Sequence, residues 1–303
     1  VPVDLTVTVV SWNTRDLLRE CLSSLRGEDR GLGIEVHVVD NASTDGSADM
    51  VRRDFAEVDL IENGVNVGFA AACNQSFRLA SGRYRFLLNS DAVLRPGALP
   101  ALVAFMDARP RAGLATARLL DPDGTPQHCA QRIPGIGLAL LETSRLHKLL
   151  GTARRGRLLL GPYWTYDEAI RIGWTWGTAL IARREAIQEV GLLNERFFMY
   201  GEDLDWCVRM WRHAWEVWFC PDAEVIHHRA RSARQRWDEP AHRCAVLDGI
   251  YRAVGMHRSR AYVAVLHVIS LAALSSSWRR SQRRAESMAR SYHVETLKRL
   301  LRT

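Results

Sequence analysis

The sequence predicts an α/β fold in which a mostly parallel sheet is flanked by helices and followed by a C-terminal helical extension. Three observations predict it. Apolar, β-branched runs alternate with segments of helical spacing along the first third of the chain. Each run stops at a cluster of small polar residues on the side leading into the next helix. A hydrophobic content of 47% over 303 residues is enough to bury such a sheet on both faces.

Leu5 to Val10 is the first strand and ends at Ser11-Trp12-Asn13. Thr14 is placed to cap the helix carrying Leu17, Leu18, Cys21, Leu22 and Leu25. Glu35 to Val39 is the second strand, running into Asp40-Asn41, and a helix follows over about Ser47 to Phe55. A third strand near Val58 to Ile61 leads through Asn63, Asn66 and Gly68 to a helix over Ala70 to Leu79, which Gly82 is placed to end. Tyr84 to Leu88 is the fourth strand, and it delivers Asn89, Ser90 and Asp91 to its carboxyl end. In open α/β sheets that end is where ligands bind. Four polar clusters along one edge predict a nucleotide cleft, with Asp91 suited to a divalent cation carrying a diphosphate. Two other nucleotide folds are excluded. The first strand-to-helix turn lacks G-x-G-x-x-G, and no G-x-x-x-x-G-K-[ST] loop occurs.

Beyond Pro96-Gly97 the pattern gives a helix over Ala98 to Ala108, a strand over Gly113 to Ala117 and a turn at Asp121 to Gly124. Residues 126–173 lack a clear period and read as a variable connection covering the cleft. Trp174 to Ala182 reads as a strand, and Arg184 to Val190 as a helix closed by Gly191. The bulky run Phe197-Phe198-Met199-Tyr200-Gly201 then meets Glu202 and Asp203, at the first turn of a helix over Leu204 to Ala214. Helix dipoles favour negative charge there, and a carboxylate held against a wall that excludes water suits a general base. A strand over Glu216 to Cys220 precedes Val225-Ile226-His227-His228. Adjacent histidines on extended chain face opposite ways, so at most one of them serves a given metal.

Taken in order, these segments resemble the family 2 inverting glycosyltransferases of the GT-A fold, and within them the bacterial rhamnosyltransferases. The resemblance rests on Val10-Ser11-Trp12-Asn13, Val39 to Gly46, Asn63 to Phe69 with Asn74, and Leu88-Asn89-Ser90-Asp91. It continues through Trp176-Gly177-Thr178-Ala179, Arg196 to Asp205 and Val225-Ile226-His227-His228. It implies a nucleoside-diphosphate sugar donor, with dTDP-rhamnose as the example, held by Ser11, Asn13, Asp40, Asn41, Asn66, Gly68, Asn74, Asn89, Ser90, Trp176 and Gly177. Asp40 would hold a pyrimidine imide. Asn66, Gly68 and Asn74 would shape the nucleoside pocket. Asp91 and His227 would bind Mg²⁺ or Mn²⁺, and Asp203, with Glu202 beside it, would be the catalytic base. The implied acceptor is a polyprenyl-diphosphate-linked glycan in cell-envelope synthesis. Two departures stand out: Asn89 and Ser90 replace the first acid and the usual proline of the family's D-x-D element, and Trp176-Gly177 replaces a commoner Ser-Gly pair that bears on the donor sugar. A sugar-nucleotidyltransferase would want a Gly-rich, Arg-containing loop after the first strand, which Ser11-Trp12-Asn13 does not offer. A non-catalytic nucleotide-sugar-binding protein would leave Glu202, Asp203 and His227 without a task.

These readings divide the chain into a catalytic domain at 1–235, with a nucleotide-binding half at 1–95 and an acceptor half at 96–235, and an extension at 236–303. From Arg252 onward there are eleven Lys and Arg against two Glu, a net of +9 where the whole chain carries +7. The apolar stretch Ala261 to Leu274 is shorter than the roughly 20 residues a membrane span needs. With Trp278, Arg279, Arg280, Arg283 and Arg284 after it, the extension reads as a peripheral contact with the cytoplasmic face of the membrane. No nucleic-acid-binding motif accompanies the charge. Six scattered cysteines without a C-x-x-C pair, and an N-terminus with no basic-then-apolar leader, place the expected protein in the cytoplasm.

Overall fold

The computed structural model describes residues 2–28, 31–228, 238–276 and 283–301. Trp278, Arg279 and Arg280, and the side chains of Arg283 and Arg284, lie outside what is described. The strands are β1 (Leu5–Ser11), β2 (Ile34–Asp40), β3 (Asp59–Glu62), β4 (Tyr84–Asn89), β5 (Ala92–Leu94), β6 (Ala112–Leu120), β7 (Ile170–Arg171), β8 (Ala179–Arg183) and β9 (Glu216–His227). They form one sheet in the order β3-β2-β1-β4-β8-β6-β9-β5, with β7 on β9. The helices of the first half are α1 (Arg15–Leu25), α2 (Ser47–Asp54), α3 (Phe69–Leu79) and α4 (Ala98–Asp107). Then come α5 (Ile136–Ser144), α6 (Thr152–Leu159), α7 (Arg184–Val190) and α8 (Glu202–Arg212). The extension is α9 (Glu239–His257), α10 (Arg260–Ser276) and α11 (Arg283–Leu301).

β1 is buried on both faces, Leu5, Val7 and Val9 on one and Thr6 and Thr8 on the other, as a central parallel strand requires. Its parallel partners keep the polar ends level: Ser11 pairs with Asp40 and Val10 with Asn89. This register gathers the clusters at one edge. The second half is mixed, because β8 runs antiparallel to both β4 and β6 while β6 and β9 are parallel. β9 breaks register at Pro221-Asp222-Ala223, where proline cannot donate to the ladder, and resumes to reach His227. The short antiparallel pair of β5 with β9 then sets Ala92 opposite His227.

Three local expectations give way to tertiary contacts. Thr14 does not cap α1 with its side chain; its hydroxyl donates to Ser90 Oγ at 2.8 Å, and Asp45 accepts the Arg15 N–H instead. Gly82 does not end α3, which stops at Ala80; a Cβ there would sit 2.7 Å from the Thr6 nitrogen, so glycine lets two strand ends touch. Trp174 to Thr178 is not strand. Trp174 bridges to Gln131, and the Thr178 carbonyl accepts from Asn89 N at 2.9 Å, so the ladder starts only at Ala179.

Residues 126–173 contain α5, α6 and short 3-10 turns rather than unstructured chain. The extension packs on this region and on α8. α9 lies on α8, where a Cβ on Gly249 would meet the Tyr200 carbonyl oxygen at 2.5 Å. His257 reaches Asp205 at 2.8 Å and Tyr200 reaches His242 at 2.6 Å. α10 turns Val263, Leu266 and Ile269 inward, and its neighbours include α5 and α11. Among the described residues no helix is long and apolar enough to cross a membrane.

Candidate active site

The carboxyl edge of the sheet opens into a cavity of about 830 Å³. Asn41, Asn66, Asn89, Ser90, Asp91, Gly177, Glu202 and His227 line it, with Val10, Trp12, Phe69, Thr178, Met199 and Tyr200. Eight of the fifteen expected residues therefore meet here, from six separate stretches of chain; Asp203, next to Glu202, is not in the lining.

The asparagines form a network that shapes one wall. Asn41 donates to Asn66 Oδ1 at 2.9 Å, and its own carbonyl accepts from Val67 N and Asn63 Nδ2. Gly68 follows at φ +89°, and a Cβ there would lie 2.6 Å from the Phe198 carbonyl oxygen. Phe69 N donates to that same oxygen at 2.7 Å. Only glycine lets the loop before α3 approach the loop before α8 this closely.

Four expected residues, Ser11, Asn13, Asp40 and Asn74, are outside the lining of this cavity. Ser11 is fully buried and shares a hydrogen bond with Thr14, tying the loop after β1 to the one after β4. Asn13, at φ 54°, accepts from Thr44 N and so fixes the loop after β2. Asp40 accepts from Ser43 N with one oxygen, while Oδ1 is buried with no hydrogen-bond partner, an unanswered acceptor of the kind an imide N–H satisfies. Asn74 departs from its expected place. Its amide donates to Leu193 O and Glu195 Oε1 and accepts from Leu193 N, so it braces the segment after α7 rather than facing the nucleoside pocket.

Asp91 is buried, and its Oδ1 lies 3.3 Å from His227 Nε2. That nitrogen is buried and has no hydrogen-bond partner. His228 faces away toward Glu20, as alternation on a strand requires. A carboxylate oxygen and an unpartnered imidazole nitrogen at this separation fit a divalent cation, with further ligands left to a bound diphosphate. Among the described residues the cavity wall holds no Lys or Arg. One three-member cluster of ligand-type side chains does occur, Glu35, His37 and Asp59, but it sits away from this edge on β2 and β3.

Glu202 and Asp203 are both buried at the start of α8. Burial raises both carboxyl groups, and the neighbouring Asp203 charge raises Glu202 further. Asp203 is held lower by backbone N–H groups, Leu204 N at 2.7 Å and Gly177 N at 3.2 Å. Glu202 Oε2 has no such partner. Both carboxyl groups are thus raised, Glu202 the further although backbone N–H groups also lower it, so Asp203 is the readier of the two to ionise.

A second cavity, of about 950 Å³, adjoins the first through His227 and Thr178 and is walled by Trp176, Gln127, His128 and His242. Trp176 therefore faces this space, packed edge-on against Trp174 at 4.6 Å. Sequence reasoning missed Gln127, which lies where no period exists to place it, and Tyr200, whose φ of 69° turns it into the first cavity.

Comparison with known proteins decides the family. The model of Glycosyl transferase family 2 matches residues 6–157, and that of Glycosyl transferase family group 2 matches residues 86–243. The chain belongs to glycosyl transferase family 2. This glycosyltransferase is 29% identical, over 95% of its length and 99% of the relative's, to the N-acetylglucosaminyl-diphospho-decaprenol L-rhamnosyltransferase of Mycobacterium tuberculosis. Its fold resembles the mannosyltransferase PcManGT of Pyrobaculum calidifontis (TM-score 0.57, 17% identity, 98% of this chain and 86% of that one). Staphylococcus aureus TarS 1-349 is similar to the same degree (TM-score 0.57, 16% identity, 98% and 82%). The GT-A fold expected from the sequence is the one observed.

Proposed function

We propose that this glycosyltransferase is inverting and metal-dependent. It moves L-rhamnose from a dTDP or UDP sugar to a hydroxyl of a polyprenyl-diphosphate-linked glycan during cell-envelope synthesis. The mycobacterial relative's name supports the sugar and the acceptor. One observation carries the metal dependence: the described cavity wall presents Asp91 and Glu202 and no Lys or Arg, so a diphosphate needs a cation to enter. Asp91 and His227 would hold Mg²⁺ or Mn²⁺, which when bound neutralises charge on the departing nucleoside diphosphate. Asp40 accepts the base's imide N–H, and Asn41 and Asn66 fix the loop around it. Asp203 takes the proton of the acceptor hydroxyl as that oxygen attacks the anomeric carbon. Gly177 N and Leu204 N keep the carboxylate oriented meanwhile.

Asp203→Asn is expected to fold and bind dTDP normally while losing at least ~100-fold in sugar transfer. Excess EDTA is expected to abolish transfer by the parent. Near-parental transfer in either arm contradicts the assignment.

Peripheral membrane contact belongs to the same reading. Leu140, Leu146 and Leu149 are exposed on α5 and the turn after it, and Val265 and Val268 on the adjoining α10. Arg145, Lys148 and Arg154 are exposed nearby along the chain. Apolar residues among cations suit an anionic bilayer. Flotation with anionic vesicles is expected for the parent and reduced in Leu146→Asp/Leu149→Asp; equal flotation would remove this surface from the contact.

A further inference from the structure

We propose that Gln127 is a positioning residue for His227. Its side-chain amide fixes the imidazole as the Nδ1–H tautomer and turns the Nε2 lone pair toward Asp91. This rests on the metal-binding reading of His227 given above.

Gln127 is buried, and its backbone N–H is tied to Leu119 O at 2.8 Å at the end of β6. Its side-chain nitrogen is surrounded by acceptors: His227 O at 2.7 Å, Asp121 Oδ1 at 2.9 Å and Leu120 O at 3.4 Å. The two N–H bonds of the NH₂ end suit the two nearer acceptors, where an amide oxygen would face oxygens, so the oxygen end must face His227, where Oε1 lies 2.9 Å from Nδ1. An amide oxygen carries no hydrogen, so Nδ1 is the donor. A neutral imidazole has a single N–H, and Nε2 is then a bare lone pair. That lone pair lies 3.3 Å from a carboxylate oxygen, buried and without a hydrogen-bond partner. Two acceptors facing each other repel unless a cation lies between them. The outer partner that most metal-bound histidines have is thus supplied by a residue far away in sequence, on the approach to the connection over the cleft.

The test uses the full chain and its Gln127→Met, His227→Ala and doubly substituted variants. Mn²⁺ affinity is read in the presence of dTDP from the electron paramagnetic resonance of free Mn²⁺. Gln127→Met is expected to weaken Mn²⁺ about 10-fold, and to have little effect once His227 is absent. Its affinity for dTDP in EDTA should match the parent. In metal-free protein labelled with ¹⁵N-histidine, the signal lost in His227→Ala should report a hydrogen fixed on Nδ1, and in Gln127→Met one no longer fixed there. Parental Mn²⁺ affinity in Gln127→Met overturns the proposal. So does equal weakening with and without His227, or a His227 with no hydrogen on Nδ1. If His227→Ala alone leaves Mn²⁺ affinity unchanged, the metal role of His227 itself fails and this inference falls with it.

Discussion

Glu202 and Asp203 are neighbours in sequence and share one buried corner, yet their surroundings treat them differently. Asp203 has two backbone N–H donors, and Glu202 has an oxygen with none. Asp203 ionises first, beside a still neutral Glu202, so replacing Glu202 by a neutral amide leaves that step where it is. In Glu202→Gln the acid limb of the transfer-rate profile is therefore expected to stay near its parental pH; a limb moved to lower pH would mean that Glu202 carries the charge first. Stability has a definite sign too. Both groups bind protons more tightly in the folded chain than in the unfolded one. The folded state then carries the extra protons, and stability falls as pH rises from the ordinary carboxylate range through the raised values. Glu202→Gln should melt above the parent at pH 8, with the gap closing near pH 4, as differential scanning fluorimetry would read. At this scale the sequence was informative for the carboxylates, because aromatic residues and Gly201 announce a built loop before them. It was silent on Gln127, whose role depends on a partner a hundred positions away.

Among the elements, α9 has the least obvious task. Gly249 packs against Tyr200, and a Cβ on Gly201 would in turn lie 2.5 Å from the Gly249 carbonyl oxygen. The loop carrying the carboxylate pair is therefore seated on the first helix of the extension. Gly249→Ala pushes on backbone, which cannot swing aside as a long side chain would. A displacement of about 1 Å at a catalytic group costs up to ~100-fold in rate. Gly249→Ala is thus expected to lower kcat about 10-fold or more while leaving dTDP affinity near parental. A drop confined to nucleotide affinity would contradict this seating. Elements with a strong period were legible to within a residue or two, as β1, β4, α1 and α8 demonstrate. The 126–173 connection was not, because α5 has no fully buried residue and so little periodic signal. Trp174 to Thr178 looked like strand for a related reason: its apolar residues are held by Gln131 and Asn89 rather than by a ladder.

In the whole molecule, two contacts between distant segments stand at the cleft. Gly68 meets Phe198 where the loop before α3 touches the loop before α8, and β5 meets β9 where Asp91 reaches His227. Sequence patterning could place each polar cluster at the end of a strand. It could not say that a bulge at Pro221 would let β9 run on to the cleft, since that depends on pairing with β6. The account's central claim is that Asp91 and His227 form a cation site at the mouth of a nucleotide cleft. Crystals soaked with Mn²⁺ and dTDP, measured at the manganese absorption edge, test it most directly. The account predicts one strong anomalous peak bonded to the Asp91 carboxylate and His227 Nε2, with the diphosphate completing its coordination. A peak at Glu35, His37 and Asp59 alone, or a dTDP bound at this edge with no manganese beside Asp91, would contradict it.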